Sequence, residues 1–484
     1  MKVLRSRRLA GLAAFAALVL GAAGTACAVP AQAQARGTAA LAPPPDVASW
    51  GAGGELGDGT TTSRSRYVDI GAGNNVVGVA AGYAPRFGHG LEVRSDGTVW
   101  AWGDNRFGEL GDGTTTARLA PVQVTGLTGV TQVAGGCVHS LALRSDGTVW
   151  AWGDNSVGEL GRGTVTGVEA TAAPVTGLAG VTKIAAGCGF SLALRSDGTV
   201  WAWGYDSAGQ LGIGSTANSA VPVKITALSQ VTAISAGWDS SVAVVAGGAS
   251  VWAWGGNEAG QLGDGTLAGH TTPVRVTQLG TVHIVGAAAG GAFDGAAFEF
   301  AAVLGTDGSV WAWGNDTLGQ LGNAPAAAPV TRPVNTIGAG SGITQISAGL
   351  VNMVALKSDG TVLAWGSNQF GQLGNGTTTS AAGPVRVTGL TGATQVAAGA
   401  EAGFAVHVPQ PVPPVPDLTG DTKAQAAQAL QAAGLVLGTV TEAPDKFCDH
   451  LGIVISQNPA AGTAVFPGSA VSITIGTPPA TGCP

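Results

Sequence analysis

Seven Trp-Gly steps at nearly even spacing decide what this 484-residue chain can become. They stand at Trp50, Trp102, Trp152, Trp203, Trp254, Trp313 and Trp365, separated by 52, 50, 51, 51, 59 and 52 residues. The same phrase surrounds them, most fully as Ser145-Asp146-Gly147-Thr148-Val149-Trp150-Ala151-Trp152-Gly153-Asp154-Asn155. Each is followed by Gly-[Glu/Gln]-Leu-Gly, as in Gly108-Glu109-Leu110-Gly111. A period of this length marks stacked copies of one supersecondary unit. The unit reads as four strands, at 121–124, 130–134, 140–144 and 148–152. The last two are joined by Asp146-Gly147, a hairpin pair expected to place both residues at positive φ. Alternation sets Trp150 and Trp152 on one strand face, with Val149 and Ala151 on the other. With both faces apolar, a unit cannot bury itself. Units of ~40–50 residues with four strands solve this by stacking radially as propeller blades.

The count of strands closes the ring. Six hairpins lead into a Trp-Gly strand: Asp96-Gly97, Asp146-Gly147, Asp197-Gly198, the degenerate Gly247-Gly248, Asp307-Gly308 and Asp359-Gly360. The Trp-Gly strand at Trp50 has no such partner before it. The final unit, with strands at 384–387, 393–397 and 403–407, has none after it. Pairing 47–50 with 404–407 completes a seventh blade and removes the open sheet edges. The expected fold is therefore an all-β seven-bladed β-propeller over residues 46–408. It holds 68 of the 80 glycines, which make up about one residue in six of the chain against a usual ~7%, and at least 33 of them sit at fixed places in the repeat. The twelve Trp on the last strand of each unit read as core.

These residues resemble the repeats of the regulator of chromosome condensation family. The match runs through Ala134-Gly135-Gly136-Cys137-Val138-His139-Ser140-Leu141-Ala142-Leu143, then Asp146–Gly153, then Gly158-Glu159-Leu160-Gly161. The resemblance implies a seven-bladed scaffold for binding partners. The family includes a secreted β-lactamase inhibitory protein, which this propeller resembles. The chain departs from the family's His in the third strand. His139 and His89 keep it, whereas Phe190, Ser240, Phe300 and Asn352 stand at the matching places. Residues 291–299 form an insertion.

Residues 1–35 read as an export signal, and 36–45 as a linker. Lys2, Arg5, Arg7 and Arg8 precede a short apolar run from Leu9 to Leu20, followed by small residues suited to cleavage. The run is short for a membrane span, which needs ~20 residues. Cys27 lacks the bulky residue that opens a lipoprotein motif, so lipidation is not the favoured reading. Cleavage after Ala35 removes four positive charges and takes the net charge from −7 to −11. That charge disfavours nucleic-acid binding.

A Pro-rich linker at 409–416 separates the ring from a second module at 417–484. Helical spacing places a helix at 421–433, and strands follow at 436–440, 453–456 and 470–475. Val415-Pro416-Asp417-Leu418-Thr419-Gly420, Gln457-Asn458-Pro459-Ala460-Ala461-Gly462-Thr463 and Gly468-Ser469-Ala470-Val471 resemble a PASTA domain. That family occurs on penicillin-binding proteins and serine/threonine kinases of bacterial envelopes. The resemblance implies association with peptidoglycan. Export favours a disulfide between Cys448 and Cys483. Cys137 and Cys188 hold equivalent places in neighbouring units, where a bridge and two free thiols fit equally well.

No H-E-x-x-H, paired C-x-x-C, G-x-S-x-G or P-loop occurs. No catalytic residue, metal or cofactor is assigned, and the chain reads as non-enzymatic. Strand order instead selects a surface. Loops between the second and third strands share one end with the loops after Trp-Gly. That end carries Tyr83, Phe87, Phe190, Tyr205, Asp206, Trp238, Asp239, Phe293, Phe298 and Glu299. Aromatics beside carboxylates fit a protein-binding face. The leading expectation is an exported binding protein, with the propeller on an envelope or extracellular protein and the second module on the wall. The alternatives are a glycan-binding structural protein, an inhibitor of β-lactamases or penicillin-binding proteins, and a GTPase exchange factor by fold analogy.

Overall fold

The computed structural model describes residues 44–484, except 72, 85–87, 292–297, 410–413, 464, 466–468 and 481–484. The export segment, Cys27, most of the 36–45 linker, Phe87, Phe293 and Cys483 therefore lie outside the described residues. Residues 46–407 form seven four-stranded antiparallel sheets, the blades of a propeller. One blade runs outward from the axis as Val130–Gly135, His139–Arg144, Val149–Gly153 and Glu169–Pro174. The expected four strands are present, but one is dealt to a different blade. The 121–124 strand pairs with the strand before it, Ala101 opposite Val122, and not with its own repeat. The long loop after each Trp-Gly folds back on the strand it leaves. The short turn near Gly126 is the crossing to the next blade.

The same dealing governs closure. The seventh blade takes Ala393–Ala398 and Ala402–His407 from one end of the ring sequence. It takes Asp46–Gly51 and Arg64–Ile70 from the other. Val47 pairs with Val406 and Ser49 with Phe404. The closure is two strands plus two, where a shared strand order predicted three plus one.

Seven tryptophans hold neighbouring blades together. Trp50, Trp102, Trp152, Trp203, Trp254, Trp313 and Trp365 are fully buried. Each indole N–H donates to the carbonyl of the Glu or Gln in the preceding blade's Gly-x-Leu-Gly, as Trp152 does to Glu109 at 2.7 Å. Trp50 does so to Gln372 at 2.9 Å and so ties the two ends of the ring. This contact explains the final Gly of the motif. A Cβ on Gly111 would lie 2.9 Å from the Trp152 indole nitrogen, and its φ of +64° is one that favours glycine. The first Trp of each pair, expected in the core, stays part-exposed. It sits one step nearer the hairpin, and Arg94 stacks 3.8 Å over Trp100 there.

The hairpin also differs from expectation. Gly147 has a φ of 77°, but Asp146 is not in the positive region. Gly147 N–H returns to Arg144 O, and Arg144 N–H bonds Thr148 O, a type I turn closed by a left-handed Gly. The Asp146 carboxylate accepts from both the N–H and the hydroxyl of Thr148, which favours this turn over the mirror form. At the axis, the Gln132 amide clamps Ile184 of the next inner strand through both its N–H and its C=O. Gln345 and Gln395 clamp Val396 and Val79 in the same way.

The second module has one helix, Lys423–Ala432, started by a capping box between Thr422 and Gln425. Its sheet runs in the order Val436–Pro444, Ala470–Thr477, Val454–Asn458. Val415 and Leu418 are buried in its core with Ala426, Leu430, Val454, Val471 and Ile473. Val415, assigned above to the linker, therefore belongs to the module.

Candidate partner-binding face

Seven backbone hydrogen bonds confirm which loops share a face. The residue after each Trp-Gly donates its N–H to a loop between the second and third strands of the repeat. Ala52 bonds Glu401 O, Asp104 bonds Gly88 O, and Asp154 bonds Val138 O. Tyr205, Gly256, Asn315 and Ser367 bond Gly189, Asp239, Glu299 and Val351 in turn. This lattice fixes the loops, so side chains on the face project from a rigid base.

Near the axis, equivalent positions of successive repeats carry Tyr83, Cys137, Cys188, Trp238, Gly291 and Leu350. Tyr83 reaches across the axial cavity, of about 240 Å³. Its hydroxyl donates to Gly237 O at 2.8 Å and lies 3.0 Å from Ala186 O. It is buried, and with Glu299 nearby its phenol is pushed well above the usual range. Tyr83 is thus a plug and not a contact residue. Cys137 and Cys188 are joined in a disulfide, which decides between the two readings left open by the sequence. Cys448 is also disulfide-bonded, and its expected partner Cys483 lies outside the described residues.

Of the other face residues, Phe190 is wholly buried in its strand, among Leu192, Leu211 and Trp254. It fills the space that His139 fills one blade earlier, so it is core and not face. Asp206 is also fully buried. Its carboxylate accepts from Leu211 N–H at 2.8 Å, the bond that Asn105 makes to Leu110. Burial pushes it up to about 6. Glu299 is 1% exposed and accepts from the Ser240 hydroxyl at 3.1 Å. Burial, and then neighbouring Asp239, hold it well above the usual carboxylate range.

The accessible set is therefore Trp238, Asp239, Tyr205 and Phe298. Trp238 is half-buried between the Tyr83–Cys137–Cys188 cluster and a ledge of Leu350, Val351 and Phe298. Asp239 is part-exposed and accepts from Gln261 Nε2 at 3.5 Å. Tyr205 is 38% exposed. The sequence reading missed Asp104, Asp154 and Glu258, which the Trp-Gly loops bring to the same face. Their signal was present, since each falls within four residues of Trp-Gly. It also missed three buried acids in the Gly-Glu-Leu-Gly motif. Glu55, Glu109 and Glu159 are each pushed up to about 7 by burial, with carboxylates nearby adding to it.

Among the described residues, one trio brings metal-ligating atoms together. Asp445, Asp449 and His450 lie within 4.8 Å of one another in the second module. Asp445 accepts from the N–H groups of Phe447 and His450, so turn formation accounts for the approach.

With this geometry, sequence profiles place the chain. The regulator of chromosome condensation (RCC1) repeat matches 96–143, 146–194, 197–244, 249–296, 307–356 and 359–406. The chain belongs to the RCC1 repeat family. A PASTA domain matches 413–477. The repeat profile begins at or just after each hairpin, so each match takes the two outer strands of one blade and the two inner strands of the next. The ultraviolet-B receptor UVR8 of Arabidopsis thaliana is 29% identical over 62% of this chain and 68% of its own length. The human E3 ubiquitin-protein ligase HERC2 is 31% identical over 71% of this chain but only 6% of its own length. Human WBSCR16 superposes with a TM-score of 0.65 at 25% identity, covering 75% of this chain and 98% of that one. Yeast RCC1 (Prp20), solved bound to Kap60, gives 0.65 at 22% identity over 80% of this chain and 92% of its own. The latter likeness shows the fold alone. No helix among the described residues is long and apolar enough to cross a membrane.

Proposed function

We propose that the protein is an exported, non-enzymatic binding protein whose propeller recognises a protein partner while its PASTA domain associates with the cell wall. The carrying observation is the joining of an RCC1 propeller and a PASTA domain in one chain. The propeller contributes a rigid loop face with an aromatic centre and a carboxylate surround, a composition suited to protein contacts. The basic, apolar and small-residue segments of residues 1–35 support export. Penicillin-recognising enzymes are the first partner class to assay, because PASTA domains accompany them.

The wall half of the reading is tested by co-sedimentation with insoluble peptidoglycan. Residues 36–484 are expected in the pellet, and a version ending at 408 in the supernatant. Equal pelleting of both, or of neither, overturns wall association through the PASTA domain.

A further inference from the structure

The two ends of the propeller differ in charge. On the hairpin end, cations and acids are interspersed: Arg144 pairs with Asp146 at 3.3 Å and Arg195 with Asp197 at 3.9 Å. The loop face is lopsided. Its loops carry Asp104, Asp154, Asp239 and Glu258, with Glu299 and Glu401 beneath, against Arg106 and Arg162 among the described residues, and Arg162 is paired with Glu169. Arg106 is already paired with Asp104 at 3.0 Å.

The imbalance meets an aromatic surface at one place. Trp238 rests on apolar residues along both flanks, and Asp239 follows it directly. Behind Asp239 stands the buried Glu299. The Ser240 hydroxyl serves Glu299, and the Gln261 amide reaches Asp239 only at 3.5 Å. Glu299, held neutral by burial, also hydrogen-bonds the Asp239 carboxyl, so the pair presents one negative charge beside the Trp238 ring, with no cation paired to it among the described residues. An indole face beside a carboxylate is the pair of groups that holds an ammonium or guanidinium, through ring electrostatics and a charge-assisted hydrogen bond. Tyr205 and Leu318, each 38% exposed, give the same face apolar contact area beyond a single cation.

We propose that this face docks a basic protein loop, with one Lys or Arg side chain seated against Trp238 and Asp239. The inference rests on the protein-binding reading above and names the partner's chemistry. The occupant is a loop presented by a folded protein, because contact spreads from Trp238 to the exposed Tyr205. Rim acids such as Asp154 and Glu258 would steer a basic partner from a distance, a pull that salt screens.

The test uses residues 36–484 and a displayed library of disulfide-constrained seven-residue loops, selected against the wild type at low ionic strength. Recovered loops are expected to be enriched in Arg or Lys. They should bind Asp239→Asn at least tenfold more weakly, lose binding to Trp238→Ala, weaken with added salt, and bind Arg195→Ala on the opposite end unchanged. Circular dichroism and thermal unfolding confirm that each variant is folded. Loops without cation enrichment, or loops that bind Asp239→Asn as well as wild type yet fail on Trp238→Ala, overturn the basic-loop proposal and leave the protein-binding face standing. Loops indifferent to both substitutions overturn the two readings together, and a selection that yields no Asp239-dependent binder overturns the proposal.

Discussion

Replacing Glu109 with Gln should stabilise the propeller at pH 8 and leave it nearly unchanged at pH 4. The repeat supplies its own control, because four of the seven motifs already carry Gln. Gln210, Gln261, Gln320 and Gln372 each accept from the N–H two residues earlier, at 2.9–3.0 Å. Glu109 makes that same bond to Phe107 at 2.7 Å, and Glu159 makes it to Val157 at 2.9 Å. In two of the four, Gln320 and Gln372, the side-chain amide also donates to a polar group five residues earlier. Gln320 Nε2 donates to Asn315 at 2.9 Å. The equivalent neighbour of Glu109 is Asp104, a like charge. Burial first and Asp104 second push Glu109 from 4.5 up to about 7. An acid held higher in the folded than in the unfolded chain stabilises the fold fully below 4.5. That contribution is lost as pH rises through 7. At about 1.4 kcal/mol per pKa unit, ionised Glu109 costs up to about 3 kcal/mol at pH 8 and a few tenths at pH 4. Denaturant unfolding followed by Trp fluorescence at the two pH values measures this for Glu109→Gln and Glu159→Gln. The converse change, Gln210→Glu, should destabilise by a similar amount at pH 8 only. Equal effects at both pH values, or destabilisation of Glu109→Gln at pH 8, would refute the reasoning.

Three further outcomes follow from the same geometry. Trp50→Ala removes the indole that ties the first Trp-Gly strand to Gln372 and should cost about 3–5 kcal/mol, read as a lowered midpoint. Tyr83→Phe leaves the shape of the axial plug but strips its bond to Gly237 O, and should cost about 1–2 kcal/mol in the same assay. Arg162 and Glu169 reverse the charges of Asp112 and Arg118 at the matching places, and both pairs are in contact. Arg162→Asp alone should therefore destabilise, and the double exchange with Glu169→Arg should recover most of the loss in a double-mutant cycle.

The ring was legible because its determinants are local and repeated. Trp-Gly spacing, hairpin dipeptides and the orphan strand at Trp50 are each visible within one period. Blade membership was less legible. Both sides of the 121–124 strand are apolar neighbours, and only the length of the Trp-Gly loop decides which one it joins. The face was legible as a set of loops but not as a set of exposed side chains. Phe190 and Phe298 are both aromatic residues of that loop set, yet one begins a strand and is sealed by Trp254's blade while the other lies on the ledge beside Trp238. Asp206 and Asp104 likewise differ by one position after Trp-Gly. That step turns a carboxylate from a backbone cap into a surface charge.

The central claim is that the loop face around Trp238 engages a protein. Immobilised wild-type protein and a Trp238→Ala/Tyr205→Ala double variant, each residues 36–484, are offered the same envelope extract. The account predicts a protein species retained by the wild type, released by salt and absent from the double variant, with PASTA-dependent peptidoglycan binding equal for both. Retention of the same species by both proteins would contradict it.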